Sequence, residues 1–103
     1  MQFLDLIENP DQATRADAPL LIVFQTGQAR QLATVLLVPC RLSELSPDLG
    51  ALTPLIDTPG GRLRAMVPEM AAVPRRAYSS IVGSAAAHRD ALIRALDLLV
   101  TGV

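Results

Sequence analysis

The spacing of apolar residues changes once along this chain, at Gly83, and that change bounds the folds open to it. Before Gly83 the apolar residues come in short runs separated by Pro, Gly and polar clusters. After it they recur at helical intervals almost to the last residue. A chain that reads as strands for most of its length and as one helix at the end is a mainly β domain with a C-terminal α-helix.

Gln2–Ile7 begins the first strand, and Asn9-Pro10 ends it with turn chemistry. Asp11–Asp17 is polar and reads as a loop tip. Pro19–Gln25 (PLLIVFQ) and Ala33–Val38 are dense apolar runs of strand length, too short for a typical helix. Thr26–Arg30, polar and carrying Gly27, is the turn between them, and Pro39 is expected to close the second run. Leu42–Gly50 reads as a short helical turn or loop, limited by Pro47 and Gly50. The clearest hairpin is LTPLIDTPGGRLRAMV, two apolar stretches around Asp57-Thr58-Pro59-Gly60-Gly61. In its second arm Leu63, Ala65 and Val67 alternate with Arg62, Arg64 and Met66, the period of a strand with two unlike faces. Pro68 and Pro74 bracket a short piece, Glu69–Val73. No repeat or linker divides the chain, so residues 1–103 are expected to form a single domain.

Ser84 suits the N-cap of a helix starting near Ala85. Asp90, Arg94, Asp97 and Thr101 fall on one polar stripe, and Asp90–Arg94 has i,i+4 ion-pair spacing. Nearly everything else from Ala91 to Val100 is apolar. A surface helix of a monomer needs one apolar face, and this one has more. One side can lie on the sheet. The remainder either fills a slot in the core or meets another protein. A homodimer is the favoured form of that contact, because two-fold pairs dominate oligomers and a short chain has little core to cover a wide apolar helix.

Half the residues are hydrophobic, but Phe3, Phe24 and Tyr78 are the only aromatic ones, so the core is aliphatic. The net charge of −1, with every basic residue an Arg, argues against direct nucleic-acid binding. Arg62, Arg64, Arg75 and Arg76 could gather on one side, yet no aromatic platform accompanies them for base stacking. One cysteine, Cys40, leaves no internal disulfide and suits a reducing compartment. The N-terminus lacks the basic start and apolar core of a signal peptide, and Leu20–Phe24 and Val35–Pro39 are too short to span a bilayer. A cytoplasmic protein without membrane contact is expected.

No catalytic constellation emerges. One His and one Cys cannot make a structural zinc site. His88-Arg89-Asp90 matches a kinase catalytic-loop triplet in letters, without any other kinase element. Ser79-Ser80 lacks nucleophile-elbow glycines, and a hydrolase triad would have to recruit His88 from the helix start. Asp57–Gly61 lacks the Lys and the strand-to-helix setting of a phosphate loop. Cys40, after Pro39, reads as a small buried hydrophobe. The residues describe a β-rich binding protein with an apolar tail, not an enzyme, and call for no cofactor and no metal.

Several segments, in order, resemble the CcdB toxins of bacterial toxin–antitoxin pairs. They are Met1-Gln2-Phe3, Phe24-Gln25-Thr26, Val38-Pro39, Thr53-Pro54, Met66 with Glu69-Met70-Ala71-Ala72-Val73-Pro74, His88-Arg89, Ala95-Leu96-Asp97-Leu98, and Gly102 before a terminal aliphatic residue. The resemblance implies an SH3-like β fold: a five-stranded antiparallel sheet, a small three-stranded sheet and a C-terminal helix. It implies a homodimer that wedges into the A subunits of DNA gyrase and traps the cleaved-DNA complex, a topoisomerase poison and not an enzyme. A cognate CcdA-like antitoxin with a disordered arm would neutralise it; the resemblance assigns no antitoxin-binding residues here.

The gyrase-binding positions carry over as Thr26, Gln28, Asp97, Thr101, Gly102 and Val103. Four of them depart from the best-known gyrase poisons. Thr101 stands where the family has a Trp that stacks on a gyrase arginine, Gln28 stands for an isoleucine, and Asp97 for an asparagine; Thr26 conservatively replaces a serine. Aromatic anchors typically carry about 2 kcal/mol or more of interface energy, and Thr cannot supply that stacking. The alternative implied is a CcdB-like dimeric binding protein that keeps antitoxin recognition but has lost or changed gyrase poisoning.

Overall fold

The computed structural model describes residues 1–78 and 80–102. Among these residues the chain forms seven strands and one α-helix: β1 (Asp5–Glu8), β2 (Leu20–Val23), β3 (Thr34–Leu42), β4 (Leu55–Thr58), β5 (Gly61–Ala65), β6 (Ala71–Pro74), β7 (Ile81–Ser84) and α1 (Arg89–Thr101). All strand pairings are antiparallel. The strands run β4-β5-β3-β2-β1-β7, with β6 also on β3.

β3 organises the sheet. One of its edges runs along β2, with Leu21 opposite Pro39. The other edge is divided: Thr34–Leu37 pairs with β6 and Cys40–Leu42 pairs with β5. A five-stranded arrangement (β6, β3, β2, β1, β7) and a three-stranded one (β4, β5, β3) therefore share a strand, which is why the total is seven. The divided edge also explains why β3 continues through Pro39, where the sequence suggests a stop. The Met66 N–H donates to the Pro39 carbonyl at 2.8 Å. The backbone groups of Pro39 thus face the seam between β6 and β5, where no ladder partner needs the N–H that proline lacks.

The hairpin forms as its sequence predicts, with Thr58 paired to Gly61 across Pro59-Gly60. Gly61 adopts φ +99°, which favours glycine. The Thr58 hydroxyl accepts from the Gly60 N–H at 3.1 Å. The hairpin tip curls over to the far end of the sheet: a Cβ on Gly83 of β7 would meet Pro59 Cγ at 3.2 Å. β1 starts at Asp5 rather than Gln2 because residues 2–5 form a tight turn. The Gln2 N–H donates to Asp5 Oδ2 at 2.7 Å, and Leu4 takes φ 72°. That left-handed conformation costs roughly 1–2 kcal/mol. Burial of Leu4 offsets it, as do two backbone bonds, Leu4 N–H to the Val23 carbonyl at 2.7 Å and Ala85 N–H to the Leu4 carbonyl at 2.8 Å.

The main core lies on one face of the sheet, where Leu6, Ile22, Val38, Ile56 and Leu63 meet Leu92 and Ala95 of α1. The opposite face carries a second apolar cluster, Ile7, Leu21, Val23, Val35 and Leu37, partly roofed by Met1, Val73 and Tyr78. β3 is apolar on both faces, so Val35–Pro39 reads as a continuous run and not as an alternation.

α1 begins at Arg89, later than Ser84 suggests. Ser84 is not its cap: a 3-10 turn, Ala86–His88, with Ala85 at its N-cap, comes first, and Ser84 Oγ accepts the Ala86 N–H at 3.1 Å. His88 Nε2 accepts the Asp57 N–H at 3.1 Å and ties this turn to β4. No described helix is long and apolar enough to cross a membrane.

Candidate functional site

α1 rests on two short turns, Gly50–Leu52 and Val67–Glu69. Both are built by motif residues. Thr53 is buried, and its hydroxyl accepts the Leu49 N–H at 2.9 Å. The Pro54 carbonyl accepts the Ala65 N–H at 2.9 Å, Met66 is buried, and Val67 is buried in the core cluster that also holds Leu92 and Ala95. This platform holds one stripe of the helix: Leu92 and Ala95 are fully buried, and Leu96 packs against the core. The polar stripe Asp90, Arg94, Asp97 and Thr101 is exposed as its spacing predicts, although Asp90 and Arg94 form no ion pair.

The apolar width of the helix exceeds what the domain covers. Leu99 is 40% exposed and Val100 is 71% exposed. A slot in the core therefore does not account for the end of α1. Gly102 closes the helix at φ 77°, its N–H donating to the Leu98 carbonyl at 3.0 Å, the left-handed cap that glycine favours. The Thr101 hydroxyl donates back to the Asp97 carbonyl at 2.7 Å, the usual satisfaction of a threonine within a helix. The last turn contains no basic side chain. The Asp97 carboxylate and the helix dipole both make this end negative.

Thr26 and Gln28 lie in the loop between β2 and β3. Thr26 N-caps the 3-10 turn Gly27–Ala29, and its hydroxyl accepts the Gln28 N–H at 3.3 Å. Both side chains are exposed. Two neighbours hold the loop in shape. Gln25 accepts the Leu36 N–H at 3.0 Å and donates to the carbonyls of Ala29 and Thr34, each at 3.3 Å. Arg75 donates to the carbonyls of Leu32 (3.1 Å), Thr34 (3.2 Å) and Ala29 (3.3 Å). A guanidinium with five donors in a fixed fork is well suited to gathering several carbonyls. Sequence reasoning did not find this role for Arg75; the turn residues give no hint of which distant donor answers their carbonyls.

The structure thus joins Asp97, Thr101 and Gly102 in one helix end and Thr26 and Gln28 in one turn. Val103 lies outside the described residues, as does Ser79. Three of the four arginines are engaged within the chain: Arg62 pairs with Asp57 at 3.1 Å, Arg64 with Asp48 at 3.3 Å, and Arg75 holds the loop. Among the described residues no group of three or more His, Cys, Asp or Glu is placed to hold a metal ion. Cys40 is buried, and burial pushes its thiol far above the ordinary ionisation range.

A family model for the CcdB protein matches residues 2–102. No curated protein matches the chain.

Proposed function

This chain belongs to the CcdB family, and from that premise we propose that it is the toxin of a toxin–antitoxin pair, binding the A subunit of DNA gyrase and trapping the cleaved-DNA complex. The observation that carries the reading is the end of α1, where Leu99 and Val100 stay exposed beside the Gly102 cap. Contiguous apolar surface on a small domain marks a contact with another protein. The negative character of the same helix end suits a basic partner surface. In this reading Asp97, Thr101, Gly102 and Val103 act with Thr26 and Gln28 as the gyrase contact. The exposed flank of α1 serves a homodimer, a cognate CcdA-like antitoxin neutralises the toxin in the cytoplasm, and the protein catalyses no reaction.

One observation favours a second reading, a dimeric CcdB-like binder that no longer poisons gyrase. The Thr101 hydroxyl turns back onto its own helix, and its short side chain replaces the stacking ring of the family.

The test is a cleavage-complex assay with purified protein, gyrase from the source bacterium, ATP and supercoiled plasmid. Linear DNA that accumulates with dose supports the toxin. Absence of linear DNA from folded, dimeric protein supports the second reading. Thr101→Trp is expected to raise trapping if the helix end is the gyrase contact; an unchanged yield refutes that assignment.

A further inference from the structure

Two turns that meet at the β2–β3 loop carry positive charge and no carboxylate. Arg30 closes the turn Gly27–Ala29. Arg75 and Arg76 open a second 3-10 turn, Arg75–Ala77, directly after β6. Thr34 pairs with Pro74, and the Arg75 N–H donates to the Ala33 carbonyl at 2.9 Å, which brings the two turns together. The Arg75 guanidinium reaches the Ala29 carbonyl, one residue before Arg30. The sequence holds no Asp or Glu between Asp17 and Glu44, nor between Glu69 and Asp90. None of the three arginines has an ion-pair partner among the described residues. Arg75 spends its donors on backbone carbonyls, so its charge has no counter-charge. Arg30 and Arg76 are exposed. Three like charges thus gather, at a cost in mutual repulsion, in a chain whose net charge is −1.

We infer that Arg30 and Arg76 are specificity-determining residues, a cationic rim on the β2–β3 loop that selects a folded protein surface bearing carboxylates. The inference rests on the reading of Thr26 and Gln28 as target contacts, and adds two residues and a charge to that contact. Exposed apolar groups lie among the cations. Leu32 is 56% exposed, and Ala33 and Pro74 line a shallow cleft with Arg75 and Arg76. Arginine beside exposed aliphatic groups is the make-up of a protein interface. A nucleic acid fits worse: a duplex carries one phosphate charge for about every 1.7 Å of its axis, and two free guanidinium groups are too few to follow it. The contact is therefore two-signed, positive at the loop and negative at the end of α1. Opposite signs at its two parts restrict how a target can be oriented, and they steer the encounter more than they tighten the complex.

Binding kinetics of the full chain on immobilised gyrase A subunit test the inference. The double variant Arg30→Glu, Arg76→Glu should slow association about tenfold, within the span over which variants of one interface differ, and change dissociation far less. Added salt should slow the parent and hardly affect the variant. Arg15→Glu with Arg62→Glu makes the same change in net charge on other loops and should leave association within about twofold of the parent, since charges away from the contact are screened. All four side chains are exposed, so the fold is spared. Equal slowing by both pairs overturns the inference, because net charge alone then matters. A rim variant that associates as fast as a binding parent also overturns it, and leaves the gyrase reading intact. A folded parent that does not bind overturns the gyrase reading and the inference with it. A labelled DNA duplex retained by the parent and released by the rim variant overturns the choice of a protein surface.

Discussion

Truncation of Leu92 tests whether α1 is the lid of the main core. Leu92 is fully buried, together with Ala95, against the sheet. Leu92→Ala removes roughly 2.4 kcal/mol of transfer free energy, at about 0.8 kcal/mol per buried carbon group. The turns Gly50–Leu52 and Val67–Glu69 beneath it each end in a backbone bond back onto themselves. They cannot collapse freely into the space left behind, so a cavity cost adds to the transfer loss. The total is about 3–4 kcal/mol, inside the range of buried Leu-to-Ala changes. That is a large share of the roughly 5–15 kcal/mol available to a small domain. The midpoint of thermal unfolding should fall by roughly 12–25 °C. Circular dichroism melts at one fixed protein concentration are the assay, because dimerisation would make the midpoint depend on concentration. Val100→Ala, on the exposed stripe of the same helix, is the internal control and should change stability by less than about 0.5 kcal/mol. Equal losses from both variants, or a Leu92→Ala protein within about 1 kcal/mol of the parent, would refute the orientation of α1.

Other outcomes follow from the same geometry. Leu96→Arg should damage folding, because Leu96 packs against the core. Leu99→Arg, at a side chain 40% exposed, should spare the fold and disrupt assembly, which light scattering reads directly; the reverse order would be evidence against an interface at this end. Arg75→Ala should raise amide exchange across residues 27–34, since three carbonyls there lose their donor. With these bonds partly exposed, a stability loss of about 1–2 kcal/mol is expected, and unchanged exchange would remove Arg75 from any positioning role. The buried Cys40 thiol should resist labelling in the folded protein and react only as fast as the chain unfolds. Because its folded ionisation is raised, the unfolded state binds fewer protons above its own value of about 8.5. Stability should therefore fall as pH rises past that point, and Cys40→Ala should flatten the fall; identical alkaline slopes would count against it.

Much of this protein is decided by local chemistry. The hairpin at Pro59-Gly60, the strand-length runs in β2 and β3, the polar stripe of α1 and the Gly102 cap each follow from residues close together in sequence. The excess apolar width of the helix is legible there too, because it is a count of side chains against a helical period. What tertiary structure alone decided are the pairings between distant segments. Pro39 remains inside a strand because β6 and β5 meet opposite it. Leu4 holds a left-handed conformation because Val23 and Ala85 both bond to it. His88, a candidate acid–base group by type, is a tie between the helix lead-in and β4. A short run of sequence states which groups need partners. Only the folded chain, with the entropy of long loops already spent, states which partners they find.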